Sequence, residues 1–192
     1  MTTHNSNWNL DTVHSGINFS VRHMVVSKVR GRFTKFSGNI ALDENELARS
    51  VVEATIDASS IDTGTAQRDE HLRSTDFFDV EHFPQIRFRS TGIEKVGTER
   101  ETERETERYR LTGQLTIRDV TREIALDVEY GGRGKDPWGN ERVGFSAKGA
   151  FDRKEFGLKW NQALETGGVL VSDRVELELE LQAVRAAAAA AA

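Results

Sequence analysis

Apolar and polar residues alternate along most of this 192-residue chain, a pattern typical of β-strands with one buried and one solvated face. The clearest case is residues 175–181, where valine and leucine alternate with glutamate. Seven other segments share this period: residues 17–21, 28–42, 52–58, 86–88, 109–117, 124–130 and 143–151. Because turns rather than helices separate these segments, the pattern predicts an all-β fold, an antiparallel barrel of about eight strands. A β-sandwich with the same strand count is the structural alternative.

The longest of these segments, residues 28–42, changes phase partway along. Its apolar positions are odd-numbered up to Phe33 and even-numbered from Phe36 onward. A slip of one residue in a period of two sends the following side chains to the other face unless the strand bends or bulges. The sequence therefore predicts a bulge or sharp bend near Thr34 and Lys35.

One stretch, residues 59–91, breaks the alternation. The hydroxyl of Thr63 or Thr65 can accept a hydrogen bond from a first-turn amide and so cap a short helix through residues 67–72. Pro84 ends the insert before alternation resumes. A single short helical insert between the third and fourth predicted strands is expected to plug one end of the barrel.

Composition narrows the range of functions and locations. The net charge of −5 disfavours nucleic acid as a partner, because such sites need clustered excess Lys and Arg. The lack of cysteine excludes disulfides and thiolate metal sites. The N-terminus shows no basic and apolar leader, and no run approaches the roughly 18 apolar residues of a membrane span. We therefore expect one cytoplasmic domain.

The residues that support catalysis in other proteins do not fall into a recognised pattern here. No pair among the histidines has the spacing of a zinc-protease site: His4, His14, His23, His71 and His82. The chain also lacks the nucleophile motif of serine hydrolases and the glycine patterns of nucleotide-binding loops. The sequence therefore predicts no metal, no catalytic cofactor and no enzyme activity.

Three segments are predicted to lie outside the folded core. Residues 98–108 repeat the letters TERE without an apolar residue, and residues 131–140 are rich in glycine, so both are expected to be solvated hairpin loops. Residues 186–192 are seven alanines, which we expect to be a non-functional tail. The single domain is thus predicted to span residues 1–185.

Several motifs, in order, resemble one known family. They are SIDTG at residues 60–64, RDEHLRSTDFFDVEHFP at 68–84, FSVRHMVVSKVRGRFTKFSG at 19–38, LTGQLTIRDVT at 111–121 and GFSAKGAFDRKEFGLKW at 144–160. Together they resemble the YceI-like proteins, lipocalin-like barrels that bind polyisoprenoid chains. The resemblance runs from about residue 8 to 184. It implies a bound isoprenoid lipid or isoprenoid quinone, held without catalysis, with transient membrane contact for loading. Family members often dimerise, which implies a possible homodimer.

Whether the barrel is filled or hollow decides the function. Gly38 and Gly113 lie in phase with inward apolar residues, and each leaves volume that neighbours fill or a ligand occupies. The pattern alone leaves both readings open, and the family resemblance favours a hollow barrel. The candidate cavity-lining residues are Phe19, Val21, Phe36, Gly38, Ile40, Ala54, Ile56, Phe77, Phe78, Phe88, Leu111, Gly113, Leu115, Phe145, Ala147 and Trp160.

Four polar residues are candidates for the barrel mouth: Arg68, Asp69, His71 and Arg153. Arg68, Asp69 and His71 either meet a ligand head group or hold the plug by hydrogen bonds, and the second reading is favoured because buried polar groups need partners. Arg153 carries a similar ambiguity. Two alternative functions follow if the lipid-carrier interpretation is wrong. One is a barrel enzyme that acts on a small lipid through Arg68, Asp69 and His71, and the other is a filled barrel that binds proteins.

Overall fold

In the computed structural model, which describes residues 5–24, 26–101, 104–165 and 168–187, antiparallel strands form a closed barrel. The strands are β1 (Asn5–Leu10), β2 (Gly16–His23), β3 (Ser27–Phe33), β4 (Phe36–Asp43), β5 (Val51–Asp57), β6 (Ile61–Asp62), β7 (Gln85–Glu101), β8 (Arg104–Ile117), β9 (Val120–Lys135), β10 (Glu141–Asp152) and β11 (Val171–Arg185). The helix α1 spans Ala66–Arg73. Among the described residues, no helix is long and apolar enough to cross a membrane.

The barrel closes because β1 pairs on both sides. Strands β4, β5, β7, β8, β9, β10 and β11 pair in that order, and β1 joins β4 to β11. This ring has eight members, as the alternation predicts. Strands β1 and β2 follow one another along the same edge of β11, with Leu10 opposite Ala183 and Gly16 opposite Glu180. Strands β2, β3 and β6 therefore extend the wall beyond the ring.

The predicted bend near Thr34 and Lys35 is present. Strand β3 ends at Phe33 and β4 begins at Phe36, so the one-residue change of phase falls between two strands. The Thr34 amide donates to the Ser60 carbonyl over 3.1 Å, and the Lys35 amide donates to the Ser60 hydroxyl over 3.1 Å. The backbone groups freed by the bend are satisfied in this way.

The predicted helical insert is also present, although its capping differs from the expectation. Thr65 occupies the position before the helix, but its hydroxyl accepts no hydrogen bond from a first-turn amide. That hydroxyl instead accepts from the Arg68 guanidinium over 3.2 Å. Helix α1 is only eight residues long and strongly polar. Tertiary hydrogen bonds therefore contribute more to its stability than helix capping does.

The two segments predicted as loops are largely strand. Strand β7 continues to Glu101 and β8 starts at Arg104, so most of residues 98–108 form a long hairpin. Strand β9 continues to Lys135, and only residues 136–140 form the turn to β10. The ladder and cross-strand ion pairs, such as Lys95 with Glu107, stabilise these polar strands without burying a face. Residues 102 and 103 of the repeat, His4 and residues 188–192 lie outside the described residues.

One end of the barrel, which we call the closed end, is filled by a tight apolar cluster. It consists of Trp8, Ile40, Leu42, Val143 and Ala183, each at most 4% exposed. The Trp8 indole donates a 2.7 Å hydrogen bond to the Ser6 hydroxyl. The other end, the plug end, carries α1, residues 74–84 and, from the connection between β10 and β11, residues 153–165 and 168–170.

Candidate functional site: an apolar cavity with a polar mouth

A cavity of about 610 Å³ occupies the barrel between the closed end and the plug. Its wall is built from inward-facing side chains of nearly every strand, because the period of two places every second residue inside. Most of these side chains are aliphatic or aromatic. A volume of this size falls within the usual range for small-molecule sites. The interior is therefore hollow and apolar, which the sequence pattern alone left open.

Most sequence-predicted candidates lie on this wall. Those that do are Phe19, Val21, Ile40, Ala54, Ile56, Phe77, Phe78, Phe88, Leu111, Leu115, Phe145, Ala147, Trp160, Arg68, His71 and Arg153. Those that do not are Phe36, Gly38, Gly113 and Asp69. The ligand contacts of the first group stay predictions, since geometry places side chains and does not show binding.

The two glycines are absent from the wall because neighbouring side chains cover them. A Cβ at Gly113 would lie 2.3 Å from Cζ of Phe88, and one at Gly38 would lie 2.5 Å from Cδ1 of Leu10. At these glycines neighbouring side chains fill the volume, which is one of the two alternatives that the sequence pattern leaves open. Their missing side chains let an aromatic or a leucine lie flat against the sheet. Phe36 packs against the buried cluster that contains Phe33 and Ile56 without reaching the cavity.

Sequence reasoning missed several residues of the wall. Leu177, Leu179 and Leu181 line the cavity, and their strict alternation on β11 was a signal strong enough to include them. Phe33 and Ile93 also line it. Leu170 lies in an irregular segment, so no periodic signal could have placed it there.

Asp69 holds the plug rather than facing the cavity. Its Oδ1 accepts hydrogen bonds from the Thr63 amide at 2.9 Å and from the Thr63 hydroxyl at 2.5 Å. Arg68 donates from Nε to the same hydroxyl over 2.7 Å and from Nη2 to the Thr63 carbonyl over 2.8 Å. Asp69 is 7% exposed, so this carboxylate has exchanged water for two protein donors. The first turn of α1 is thereby tied to the end of β6.

The mouth of the cavity is a cluster of three aromatic rings, those of His71, Phe77 and Trp160. The His71 ring meets the Trp160 ring edge to face at a centroid distance of 4.7 Å, and the Phe77 ring at 5.1 Å. Nε2 of His71 lies 2.8 Å from the Asp76 carboxylate, which orients the imidazole. His71 and Trp160 are partly exposed and also line the cavity, so they stand between the interior and solvent.

Arg153 supports the mouth from beneath. It is 3% exposed, and its guanidinium donates to the carbonyls of Ser172, Leu158 and Trp160 at 2.7–3.0 Å. Burial lowers the pKa of Arg153, although the nearby Asp173 carboxylate opposes that change. Since its donors are directed to backbone oxygens, Arg153 fixes the loop that carries Trp160.

The polar groups of the wall are unevenly distributed. Thr63, Thr65, Gln67, Arg68 and His71 belong to the plug end. Towards the hairpin of β7 and β8 the wall includes Tyr109, whose hydroxyl donates to Glu107 over 3.0 Å. Burial raises the pKa of Tyr109 to about 12, so it is neutral at physiological pH. Among the described residues, no group of three or more His, Asp or Glu side chains could hold a metal ion.

The arrangement can enclose an elongated apolar molecule and place a polar end group among hydrogen-bond donors. The family model that matches residues 8–183 is described as the YceI-like domain. A UPF0312 protein of Staphylococcus epidermidis is 38% identical over 172 residues, covering 89% of this chain and 93% of the relative. The Campylobacter jejuni YceI crystal structure shares 30% identity and a TM-score of 0.70, covering 86% of this chain and 90% of that one.

A further solved structure is described as a polyisoprenoid binding domain from Saccharophagus degradans. It aligns with a TM-score of 0.68 over 95% of this chain and all of its own length. Its identity of 15% shows a common fold alone. The family model and the staphylococcal relative go further, because each covers most of this chain: the chain belongs to the YceI-like domain family.

Proposed function

We propose that this protein binds a long-chain isoprenoid, a polyprenyl lipid or an isoprenoid quinone, inside the barrel and sequesters or carries it without catalysis. The observation that carries the proposal is the apolar cavity of about 610 Å³ inside the barrel. Burial of hydrocarbon contributes roughly 25 cal/mol per Å², so an apolar chain gains affinity along its whole length. The fold shared with a domain described as polyisoprenoid binding supports the same ligand class.

The distribution of polar groups supports one orientation of the ligand. The hydrocarbon chain lies towards the closed end, where the wall is formed by Ile40, Leu42 and Leu181. The polar end lies at the mouth, where Gln67, Arg68 and His71 offer polar atoms. The predicted cytoplasmic location and a homodimer remain part of this proposal.

A pair of matched variants tests the proposal. Ala54 lines the cavity on β5, whereas its neighbour Thr55 belongs to the opposite face of the strand. Ala54→Phe should occupy cavity volume, so that binding of a prenyl lipid in a fluorescence titration falls at least about tenfold, the equivalent of ~1.4 kcal/mol. Thr55→Phe adds a similar ring outside the barrel and should leave the affinity unchanged. Mass spectrometry of an organic extract then identifies the ligand that the wild-type protein retains.

Two results would count against the carrier function. One is equal affinity of both variants for the prenyl lipid, which would place binding outside the barrel. The other is an extract without any lipid from wild-type protein that also fails to bind the probe. Chemical conversion of the added lipid by wild-type protein, lost in His71→Ala, would favour the alternative of a barrel enzyme.

A further inference from the structure

The hairpin between β2 and β3 presents apolar side chains to solvent at the plug end. Met24 is 46% exposed and Val26 is 86% exposed. Val169, from the segment before β11, is 44% exposed. The Met24 amide donates to the Leu170 carbonyl over 2.9 Å, which holds the two segments side by side. Exposed apolar residues grouped in this way mark an interaction surface more often than isolated ones do.

This apolar tip lies directly at the mouth of the cavity. Val21, His23 and Val29, from the strands that lead to the tip, line the cavity, and so does Leu170. Residue Met24 has a φ of 52°, a conformation that is unfavourable for a side chain of this kind. Met24 therefore holds a flexible, 46% exposed apolar side chain at a local conformational cost.

The outward face of the same hairpin is basic. It carries Arg22 on β2 and Lys28, Arg30 and Arg32 on β3, with Arg22 opposite Lys28 in the ladder. Lys28 pairs with Glu176 and Arg32 pairs with Asp62. Arg22 and Arg30 are exposed and form no ion pair with any residue in the described part of the chain. Two free cations thus flank the apolar tip of a protein whose net charge is −5.

We infer that the β2–β3 hairpin is the surface with which the protein docks on an anionic lipid bilayer. The inference rests on the proposed function. It adds that an anionic membrane supplies or receives the ligand. Apolar side chains flanked by Lys and Arg are the combination that binds at the interface of anionic membranes. In this orientation Met24 and Val26 enter the headgroup region, while Arg22 and Arg30 meet anionic headgroups.

Docking in this orientation shortens the path of the ligand through water. The tip belongs to the same two strands as the wall residues Val21 and Val29, so insertion of the tip brings the mouth to the bilayer surface. A long hydrocarbon chain that leaves the bilayer directly into the cavity exposes little apolar surface to solvent. The costly step of solvating the whole chain is thereby avoided.

Vesicle co-sedimentation of the full chain tests the inference. We expect binding to phosphatidylcholine vesicles that contain phosphatidylserine, weak binding to phosphatidylcholine alone, and loss of binding as salt is raised. The double variant Arg22→Gln/Arg30→Gln should weaken partitioning about 25-fold, since each basic residue near an anionic surface contributes about fivefold. The matched control Arg87→Gln/Arg122→Gln removes two exposed arginines from β7 and β9, on the far side of the barrel, and should bind as wild type.

The apolar tip is tested separately. Met24→Ser/Val26→Ser should weaken binding to the phosphatidylserine vesicles, whereas Val13→Ser, at a residue 84% exposed elsewhere, should not. Equal losses in the tip and control variants, or no vesicle binding by wild-type protein, would overturn the inference. It is also overturned if sedimentation velocity shows a dimer that the tip variant dissociates, because the tip would then cover a second copy.

A prenyl-lipid titration in vesicle-free solution separates this inference from the proposed function. Vesicle binding that fails while the cavity still binds prenyl lipid overturns the docking surface alone. If the protein docks on vesicles but binds no prenyl lipid, the docking surface stands and the proposed carrier function is wrong.

Discussion

The two ends of the barrel are built from the same alternating strands and differ in what fills the space between them. At the closed end, the Trp8 ring from β1 is fully buried, with the guanidinium carbons of Arg133 and Arg185 at 5.4 and 5.8 Å from its centroid. Glu44 pairs with both arginines. At the plug end, His71 and Trp160 are partly exposed and line a cavity.

The difference shows that one barrel can stabilise its fold in one region and leave volume for a ligand in another. A close-packed interior contributes most to stability, because each buried contact counts and voids are costly. A ligand site requires the opposite, a volume that side chains leave free. The chain meets both needs by packing the closed end densely around Trp8, with a second buried cluster around Ile61 and Phe156 beside the plug, and by leaving the middle of the barrel lined rather than filled.

The strongest test of this comparison is Trp8→Ala. Removal of a fully buried indole should cost about 3–5 kcal/mol of unfolding free energy, measured by urea denaturation. Trp138→Ala, at a tryptophan that is 81% exposed, is the control and should change stability by no more than ~0.5 kcal/mol. Similar effects of the two substitutions would mean that the closed end does not carry the stability assigned to it.

An intermediate effect is expected behind the cavity wall, where the ring of Phe88 covers Gly113. Gly113→Ala places a methyl group 2.3 Å from Phe88 and 2.7 Å from the Arg89 carbonyl, so the ring must move and the backbone must yield. We expect a loss of about 1–3 kcal/mol. Gly97→Ala, on β7 where a Cβ meets nothing within 4 Å, is the control and should be nearly neutral. Unchanged stability of Gly113→Ala with weakened lipid binding would instead show that Phe88 moves into the cavity.

The smallest effects are expected from pH, with opposite signs at the two ends. Hydrogen bonds from Asn140 and Arg142 hold the pKa of Asp136, near the closed end, at about 2. The stability that this ionised carboxylate contributes is present above pH 3.8, the ordinary pKa of the group, and is lost as pH falls towards 2. A hydrogen bond to Asp79 raises the pKa of His82, at the plug end, above 6.5. That contribution is present below pH 6.5 and is lost as pH rises through the raised pKa.

Thermal melts across the pH range measure both contributions. Asp136→Asn should flatten the acid side of the stability profile, and His82→Gln should flatten the neutral to alkaline side. The His82 side chain is 70% exposed, so added salt should reduce its effect. A profile that keeps its shape in Asp136→Asn would mean that other carboxylates govern acid unfolding.

Part of the fold followed from local patterning. Alternation predicted the strands, the change of phase predicted the break between Phe33 and Phe36, and the loss of period predicted α1. These features can be predicted from the sequence because each depends on residues that are close together along the chain. The long charged hairpin of β7 and β8 was misread as loop, since cross-strand pairing rather than burial holds it.

What the sequence by itself determined is therefore the set of inward and outward faces, the position of the plug and the family. Only the tertiary structure decided that the barrel is hollow, because that depends on how side chains from distant strands share one interior. Gly113 and Phe88 are the clearest case. Both face inward, but the Phe88 ring covers Gly113, so only Phe88 lies on the cavity wall. The alternation along a strand predicts to which face each side chain points, whereas packing between strands decides which part of the interior stays empty.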